Sequence, residues 1–230
     1  MTLHAVVVRQ PWASLIAHGI KTIETRGFAP KSTVRPGDRL AIVAGLTRPP
    51  SGLKLGWDWQ VGVSTVGPAI HVENCDEDEV CPDPEEGVWS DECRALNEWV
   101  PALMHDEGAH GWSITDTLPL GAVVAVVTYD EALRIADVPG DADDGIFHDV
   151  TDGEAWAWTG SEDRDITDQL PLGDFAPGRF GWMLSNPLRL TVPVPCPAVA
   201  PDGSRTNMQG VFRLPAAVEA AVVAQIGGES

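Results

Sequence analysis

The chain has little lysine, tyrosine and cysteine for its 230 residues, and it has no long apolar run. A membrane-spanning helix needs ~20 consecutive apolar residues, and no stretch of the sequence approaches that length. The first residues do not combine a basic segment with a long apolar run, so no secretory signal is predicted. Four irregularly spaced cysteines predict no disulfide scaffold. Together these absences favour a reducing, cytoplasmic location without a membrane partner.

Basic residues are few overall, and they are unevenly distributed. The formal net charge is −19, which disfavours a generic nucleic-acid-binding surface. Residues 1–58 nevertheless contain eight Lys or Arg against three acidic residues, whereas residues 59–178 contain 28 acidic residues against three Arg. The acidic excess is typical of a solvated surface, or of an acidic arm that folds over the basic segment and competes with nucleic acid. Both interpretations stay open.

The first 26 residues contain the most informative pattern. Residues 5–8 form an apolar, β-branched run that predicts a strand. Pro11 suits the first turn of a helix, and Gly19 suits its C-terminal end. Apolar side chains at the spacing i, i+3, i+4 predict one buried helix face, made of Trp12, Leu15 and Ile16.

Polar side chains gather at the end of that helix and after it. Ser14 and His18 lie off the apolar face, toward solvent or a cleft. The chain then runs extended, with Thr22, Glu24 and Arg26 on one face of the predicted strand. This pattern places hydroxyl, carboxylate and guanidinium groups side by side.

The sequence resembles the ASCH family (activating-signal-cointegrator homology), which belongs to the PUA-like proteins. The resemblance lies in an opening block at residues 9–16 and 19–26 and in three later matches that follow in the family's order: residues 37–44, residues 121–127, and the closing strands at residues 181–187 and 208–214. It implies an α+β fold, namely a PUA-like mixed or antiparallel β-barrel with flanking helices. The long stretches at about 46–117 and about 136–177 are then two acidic insertions in a single domain spanning residues 1–230.

The insertions and the C-terminus give weaker secondary-structure signals. Residues 91–104 have the spacing of an amphipathic helix, and a short helix is predicted at residues 153–158. The alternation of Trp156 and Trp158 also suits a strand with one buried edge, or two rings that stack bases. Residues 215–225 are alanine-rich after a proline and predict a C-terminal helix.

The start of the first predicted helix is one candidate binding site. Free backbone N–H groups and the helix dipole favour a phosphate or carboxylate there. Arg9 can clamp an anion, and Gln10 can hydrogen-bond a base edge or merely cap the helix. In the family the ligand cleft lies between this helix and the barrel. The resemblance therefore implies ligand contacts from Arg9, Gln10, Trp12 and Ser14, although Trp12 also suits the core.

The extended segment after the helix is the second candidate. A lysine flanked by hydroxyls and a carboxylate in a desolvated cleft can have a lowered pKa and act as a base or nucleophile. Alternatively, Lys21 and Arg26 bind phosphate while Glu24 accepts a hydrogen bond from an exocyclic amine. A surface strand with a weak Glu24–Arg26 pair is the third interpretation.

One branch of the family hydrolyses the amide of acetylated cytidine with a lysine, a threonine and a glutamate. Lys21 matches that lysine, but Glu24 occupies the threonine's place, and Glu131 is one of several candidates for the glutamate. If the chain is an enzyme, the expected catalytic residues are Lys21, Thr22 and Glu24. The pattern Lys-x-x-Glu-x-Arg is more similar to the cointegrator-type domains, which are regarded as nucleic-acid-binding modules.

Other polar residues give less specific signals. Asn186 and Gln209 lie in the closing blocks, where their amides can hydrogen-bond a base. Six residues of the first insertion have metal-ligand chemistry but lack the short cysteine spacing of zinc modules: His71, Cys75, Cys81, Cys93, His105 and His110. No metal and no cofactor are expected.

The leading prediction is a binding module for RNA, for single-stranded or modified DNA, or for a nucleoside. Such modules read splayed-out bases by stacking and edge hydrogen bonds. The alternative is an enzyme, either an amidohydrolase of an acylated nucleoside or a nuclease. A third hypothesis is an acidic regulatory or interaction protein whose insertions mimic nucleic acid.

Overall fold

A computed structural model describes residues 3–30, 33–47, 54–58, 63–67, 118–136, 145–149, 154–158, 163–197, 208 and 210–227. The predicted helix at residues 91–104 and the cysteine–histidine group of the first insertion lie outside these ranges. Gln209 does so as well.

The described residues are rich in strands and contain few helices. The strands in chain order are β1 (His4–Val8), β2 (Ile23–Arg26), β3 (Arg39–Ala44), β4 (Lys54–Asp58), β5 (Val63–Gly67), β6 (Ala122–Ala136), β7 (Gly145–Asp149), β8 (Glu154–Trp158), β9 (Asp163–Asp165), β10 (Phe180–Pro195) and β11 (Val211–Arg213). The helices are α1 (Trp12–Ala17), a 3-10 helix (Thr167–Leu172) and α2 (Ala216–Ile226).

Nine of these strands form one mixed sheet, and β4 and β5 form a separate hairpin. The order β11-β1-β3-β6 continues into β10 and then β2, while β7, β8 and β9 extend from the end of β6. The β1–β3 and β6–β7 pairs are parallel, and the others are antiparallel. The prediction of a mixed α+β fold is therefore confirmed.

The expected closure into a barrel is not found among the described strands. Closure would require β2, at one end of the strand order, to pair with β11 or with the free part of β1 at the other end, and no such pairing is found among the described strands. The described partner of β2 is β10 alone. The sheet is open at β2 and branched at β6, because the last residues of β6 pair with β7 as well as with β10.

Two cores lie on opposite faces of the sheet. Alternate residues of β3 belong to each: Leu40 and Ile42 to the first core and Ala41 and Val43 to the second. Strands buried on both faces carry such continuous apolar runs. Helix α1 contributes Ile16 to the first core, and α2 contributes its two buried valines to the second. The helices thus cover the two faces of the sheet.

A third core joins β2, the end of β6 and the β7–β8 pair. It contains Ile23, Ile135 and Ile146, together with Ala155 and Ala157 on β8. The predicted helix at residues 153–158 is wrong, since β8 is a strand. Small alanines facing inward alternate there with Trp156 and Trp158, and the Trp158 side chain is exposed. The alternation of the tryptophans was the better signal.

Most other local predictions are confirmed. The strand at residues 5–8, the helix after Pro11, the extended segment that ends at Arg26 and the C-terminal helix all occur. Gly19 follows α1 with φ +74, as the predicted helix end requires. Ser14 does not face solvent, because α1 is buried on several sides and Ser14 is only 2% exposed.

Candidate functional site

The connection from α1 to β2 brings several polar side chains to one place. After the Gly19 turn, the N–H groups of Ile20 and Lys21 both donate to Leu15 O, at 3.0 and 3.2 Å. This turn fixes where Lys21 enters the protein. β2 then pairs with β10 in a register that puts Glu24 opposite Trp182 of the first core. Opposite residues of an antiparallel pair share a face, so Glu24 lies on the same side of the sheet as α1.

Lys21 is a buried lysine, with its side chain only 1% exposed. Its Nζ donates to Ile23 O and to Leu172 O, both at 2.6 Å, and lies 3.6 Å from Glu24 Oε2. A buried ammonium is costly unless it is paired and hydrogen-bonded, and both conditions are met here.

Glu24 also binds Arg26, which completes an ion network of Lys21, Glu24 and Arg26. Glu24 Oε1 lies 2.8 Å from one terminal nitrogen of Arg26. That same nitrogen donates to Val7 O on β1. The network has two cationic members and one anionic member, so its formal charge is +1. It also links β2 to β1 by a side chain, at the place where the sheet is open.

Three buried polar atoms between residues 14 and 26, one of them on Arg26 of the network, have no hydrogen-bond partner among the described residues. They are Ser14 Oγ, Thr22 Oγ1 and Arg26 Nε. An unmet buried donor or acceptor costs about 1–3 kcal/mol, so each calls for a reason such as a ligand or an ordered water. All three atoms lie within residues 14–26.

The 3-10 helix holds the backbone on both sides of Lys21. Gln169, which is 3% exposed, accepts from Thr22 N at 2.8 Å and donates to Ile20 O at 3.1 Å. Nothing in the sequence pointed to Gln169 or to the carbonyl of Leu172. They lie in an acidic insertion, Leu172 being 151 residues after Lys21, and carry no motif of their own.

The start of α1 is already occupied by groups of the protein. Gln10 Oε1 accepts from Ser14 N at 3.1 Å, and Gln10 Nε2 donates to Pro119 O at 2.9 Å. The N–H groups of Ala13 and Leu15 bond to Arg9 O and Pro11 O. Gln10 therefore takes the capping role, and the free N–H groups expected of an anion site are not found at these three positions.

The side chains flanking Gln10 differ in exposure. Arg9 is exposed, whereas Trp12 is partly buried and packs against the first core. The prediction that Trp12 lies in the core is thus confirmed only in part. The assignment of both side chains as ligand contacts stays a prediction.

Asn186 lies in an irregular part of β10 beside the end of α1. Its φ is +47, and its Nδ2 donates to Ser185 Oγ at 3.3 Å. Ser185 in turn donates to Asp130 Oδ1 at 2.8 Å. A Cβ added to Gly19 would lie 3.2 Å from Pro187 Cγ, which places this stretch against the helix end. The structure does not bring Asn186 into the ion network.

Burial and charge raise the pKa of two groups away from the network. Burial in the first core, and secondarily the Glu131 carboxylate, raise the pKa of Tyr129. Burial raises the pKa of the Cys196 thiol, which disfavours the reactive thiolate. Two hydrogen bonds from Thr167 lower the pKa of the exposed Asp165.

In the described ranges, no three His, Cys, Asp or Glu side chains are placed to hold a metal ion. Among the helices of those ranges, none is both long enough and apolar enough to cross a membrane. No model of a known protein family matches the chain, and no curated protein is significantly similar to it.

Proposed function

We propose that the protein binds an unpaired or modified nucleotide at the ion network of Lys21, Glu24 and Arg26. The single observation that carries this proposal is an ion network of net positive charge whose Arg26 side chain is 23% exposed. A phosphate oxygen of the ligand would contact the exposed part of this guanidinium.

Each member of the network has a role in this proposal. Arg26 has a planar guanidinium that suits phosphate, and its Nε is a donor without a partner among the described residues. Glu24 presents a carboxylate that accepts from the exocyclic amine of cytosine. Lys21 holds Glu24 in place from the buried side, because its ammonium is already bonded to two carbonyl groups.

A finer description of the fold accompanies this function. We propose that the open sheet is a PUA-like arrangement in which the bond from Arg26 to Val7 O stands in for strand pairing between β2 and β1. The ligand then lies on the face of β2 that looks toward α1. This proposal keeps the cleft implied by the ASCH resemblance but moves the contacts from the start of α1 to β2.

The site favours a small ligand over a long duplex. With a net charge of −19, the molecule as a whole repels polyanions, although residues 1–58 are locally cationic. A pocket for one nucleotide buries few phosphates and is therefore less affected by that repulsion. Its affinity should also fall less steeply with salt than that of a protein contacting many phosphates.

Binding to labelled single-stranded RNA and DNA of about ten nucleotides tests the proposal, with free cytidine monophosphate and acetylated cytidine as competitors. Fluorescence anisotropy is measured at about 50 mM and about 200 mM salt. Arg26→Gln is expected to weaken binding about tenfold or more, since it removes a charged donor. The exposed Arg35→Gln loses the same charge and is expected to change affinity less than about twofold.

Arg26→Lys distinguishes the contribution of the positive charge from that of the planar guanidinium, because lysine retains the charge and lacks the guanidinium. It is expected to bind nearly as weakly as Arg26→Gln. Urea unfolding of every variant checks that the fold is kept. The proposal fails if wild-type protein binds no probe at the lower salt concentration, or if Arg26→Gln binds like Arg35→Gln.

Amide hydrolysis is the competing function, and incubating the protein with acetylated cytidine and following the release of cytidine tests it. A lysine nucleophile must lose a proton, whereas Lys21 Nζ donates to two carbonyl oxygens and lies near a carboxylate. We therefore expect no release of cytidine from acetylated cytidine. Turnover that disappears in Lys21→Met would overturn this expectation and make the protein an enzyme.

A further inference from the structure

The segment of residues 167–175 lies along the edge of β2 that does not pair with β10. Asp174 N donates to Thr25 Oγ1 at 3.0 Å, and a Cβ added to Gly173 would lie 3.0 Å from Thr25 Cγ2. Leu172 O accepts from Lys21 Nζ. An edge strand exposes unpaired backbone groups, and proteins commonly cover such an edge with a loop or helix. Here the covering segment comes from the second predicted insertion.

Gln169 is the residue of this segment that acts on both sides of Lys21. Its Oε1 accepts from Thr22 N, and its Nε2 donates to Ile20 O. Its Nε2 also lies 3.1 Å from Asp168 Oδ2, so both ends of the amide are engaged. The side chain is buried, and it fixes the backbone immediately before and after Lys21.

We propose that Gln169 is a positioning residue for the ion network and thereby for the nucleotide. By holding residues 20–22, it aims Lys21 Nζ at Ile23 O, Leu172 O and Glu24. Glu24 and Arg26 are then arranged before the ligand arrives, which lowers the ordering cost of binding. The effect on affinity rests on the proposed function, whereas the effect on Lys21 does not.

The test combines lysine labelling with ligand binding in the full chain. The protein has three lysines, Lys21, Lys31 and Lys54, so reductive methylation followed by peptide mass spectrometry reports Lys21 separately. Gln169→Met keeps the side-chain length and removes its hydrogen bonds. We expect it to speed Lys21 methylation about tenfold and to weaken binding of the labelled RNA about tenfold, without changing the labelling of Lys31.

Gln225→Ala is the control. Like that of Gln169, its amide bonds to the backbone with both ends, but to a single residue, accepting from Val192 N at 3.0 Å and donating to Val192 O at 2.8 Å. It lies on α2, and it is expected to leave both readouts at the wild-type level. Gln169→Glu is the second variant, since it retains the acceptor for Thr22 N and loses the donor to Ile20 O. Because its new carboxylate oxygen would face Ile20 O and Asp168 Oδ2, it should expose Lys21 at least as much as Gln169→Met does.

Each outcome decides the proposal. Faster Lys21 labelling with weaker binding in Gln169→Met, and neither in Gln225→Ala, supports it. Wild-type labelling of Lys21 in both Gln169 variants overturns it, as does faster labelling with unchanged RNA affinity. If wild-type protein binds no probe but Gln169→Met exposes Lys21, the nucleotide proposal fails while the positioning of Lys21 by Gln169 stands.

Discussion

Tyr129 occupies a position where ionisation is unfavourable. It is 5% exposed in the first core, and its ring packs edge-on against Trp182 with centroids 6.3 Å apart. Burial penalises the phenolate because a charge is poorly solvated in an apolar environment, and the Glu131 carboxylate adds repulsion. Since Tyr129 is the only tyrosine in the sequence, an absorbance titration of the phenolate reports this one site.

We predict that native Tyr129 titrates above its ordinary value of about 10 and that unfolding in urea restores that value. The measurement is the phenolate absorbance as a function of pH, with and without denaturant. Glu131→Gln should lower the native pKa only in part, since the carboxylate is the smaller cause. The exposed Asp163→Asn is the control and should leave it unchanged. An identical midpoint in native and unfolded protein would contradict the prediction.

The same shift has a consequence for stability at high pH. Below about pH 10 the phenol is protonated in both states, so its contribution to the free energy of unfolding is complete. Above that pH the unfolded state ionises first, because its pKa is lower. Stability is therefore lost as pH rises from the unfolded pKa through the folded pKa.

Gln10 and Ser14 illustrate what sequence can indicate for single residues. The pattern before α1 marked Gln10 as either a cap or a ligand contact, and its two hydrogen bonds give it the capping role. The choice depended on Pro119 O, whose position relative to Gln10 is set by tertiary structure. Ser14 lies off the apolar face of α1, so the sequence predicts that it faces solvent or a cleft. The prediction fails because an apolar face shows only which side of a helix is most buried, and the other sides of α1 are buried too.

At the scale of elements, the turn at Gly19 connects α1 to the strand that carries the site. Its positive φ is unfavourable for residues with a Cβ, and an added Cβ would also press on Pro187 Cγ at 3.2 Å. Gly37 has a similar φ of +88 but has no atom near the position of an added Cβ. A substitution at Gly37 therefore measures backbone strain alone, whereas one at Gly19 measures backbone strain together with crowding against Pro187.

We predict that Gly37→Ala lowers the free energy of unfolding by about 1 kcal/mol and that Gly19→Ala lowers it by about 2 kcal/mol. The difference reflects the contact with Pro187. Urea unfolding measures both values. Equal losses in the two variants would show that the chain relieves the contact without cost.

Elements with strong local signals were predictable, and those defined by distant contacts were not. β1, α1 and the turn at Gly19 follow from apolar periodicity, proline and glycine within twenty residues. β8 was predicted both as a helix and as an alternating strand, because a five-residue segment supports either periodicity. Its pairing with β7 and β9 decided for the strand.

At the scale of the whole molecule, the excess of acidic residues is the dominant electrostatic feature. A net charge of −19 on 230 residues produces self-repulsion that favours expanded states. Added salt screens such repulsion, with a Debye length of about 10 Å at 0.1 M. With 34 acidic residues against 15 basic ones, repulsion among carboxylates outweighs the attraction that salt screens at the same time.

We therefore predict that sodium chloride stabilises the protein at pH 7. Raising it from about 0.01 M to about 0.15 M should increase the free energy of unfolding by about 1 kcal/mol, or the melting temperature by about 2–4 °C. Near the isoelectric point of about 4.4 the same addition should have little effect. A melting temperature that falls with salt at pH 7 would contradict the prediction.

The sequence predicts which segments form the main strands of the sheet, but it does not predict which strands pair with each other. The blocks at residues 37–44 and 121–127 correspond to β3 and the first half of β6. The branch at β6 and the open edge at β2 were not foreseen, because β6 runs for 15 residues and its last residues pair with β7 from an insertion. The periodicity of apolar residues within a segment does not show which distant segment it pairs with.

The sequence by itself determined the strand–helix–strand unit at the start of the chain and the polar residues on its last strand. Those features depend on side-chain periodicity and on the backbone preferences of Pro11 and Gly19, which act within a few residues. Only the tertiary structure decided that Lys21 is buried, that Gln169 and Leu172 hold it, and that Arg26 reaches Val7 O. These contacts join segments up to 151 residues apart, and their partners are mainly backbone groups, which every residue carries and no sequence pattern distinguishes.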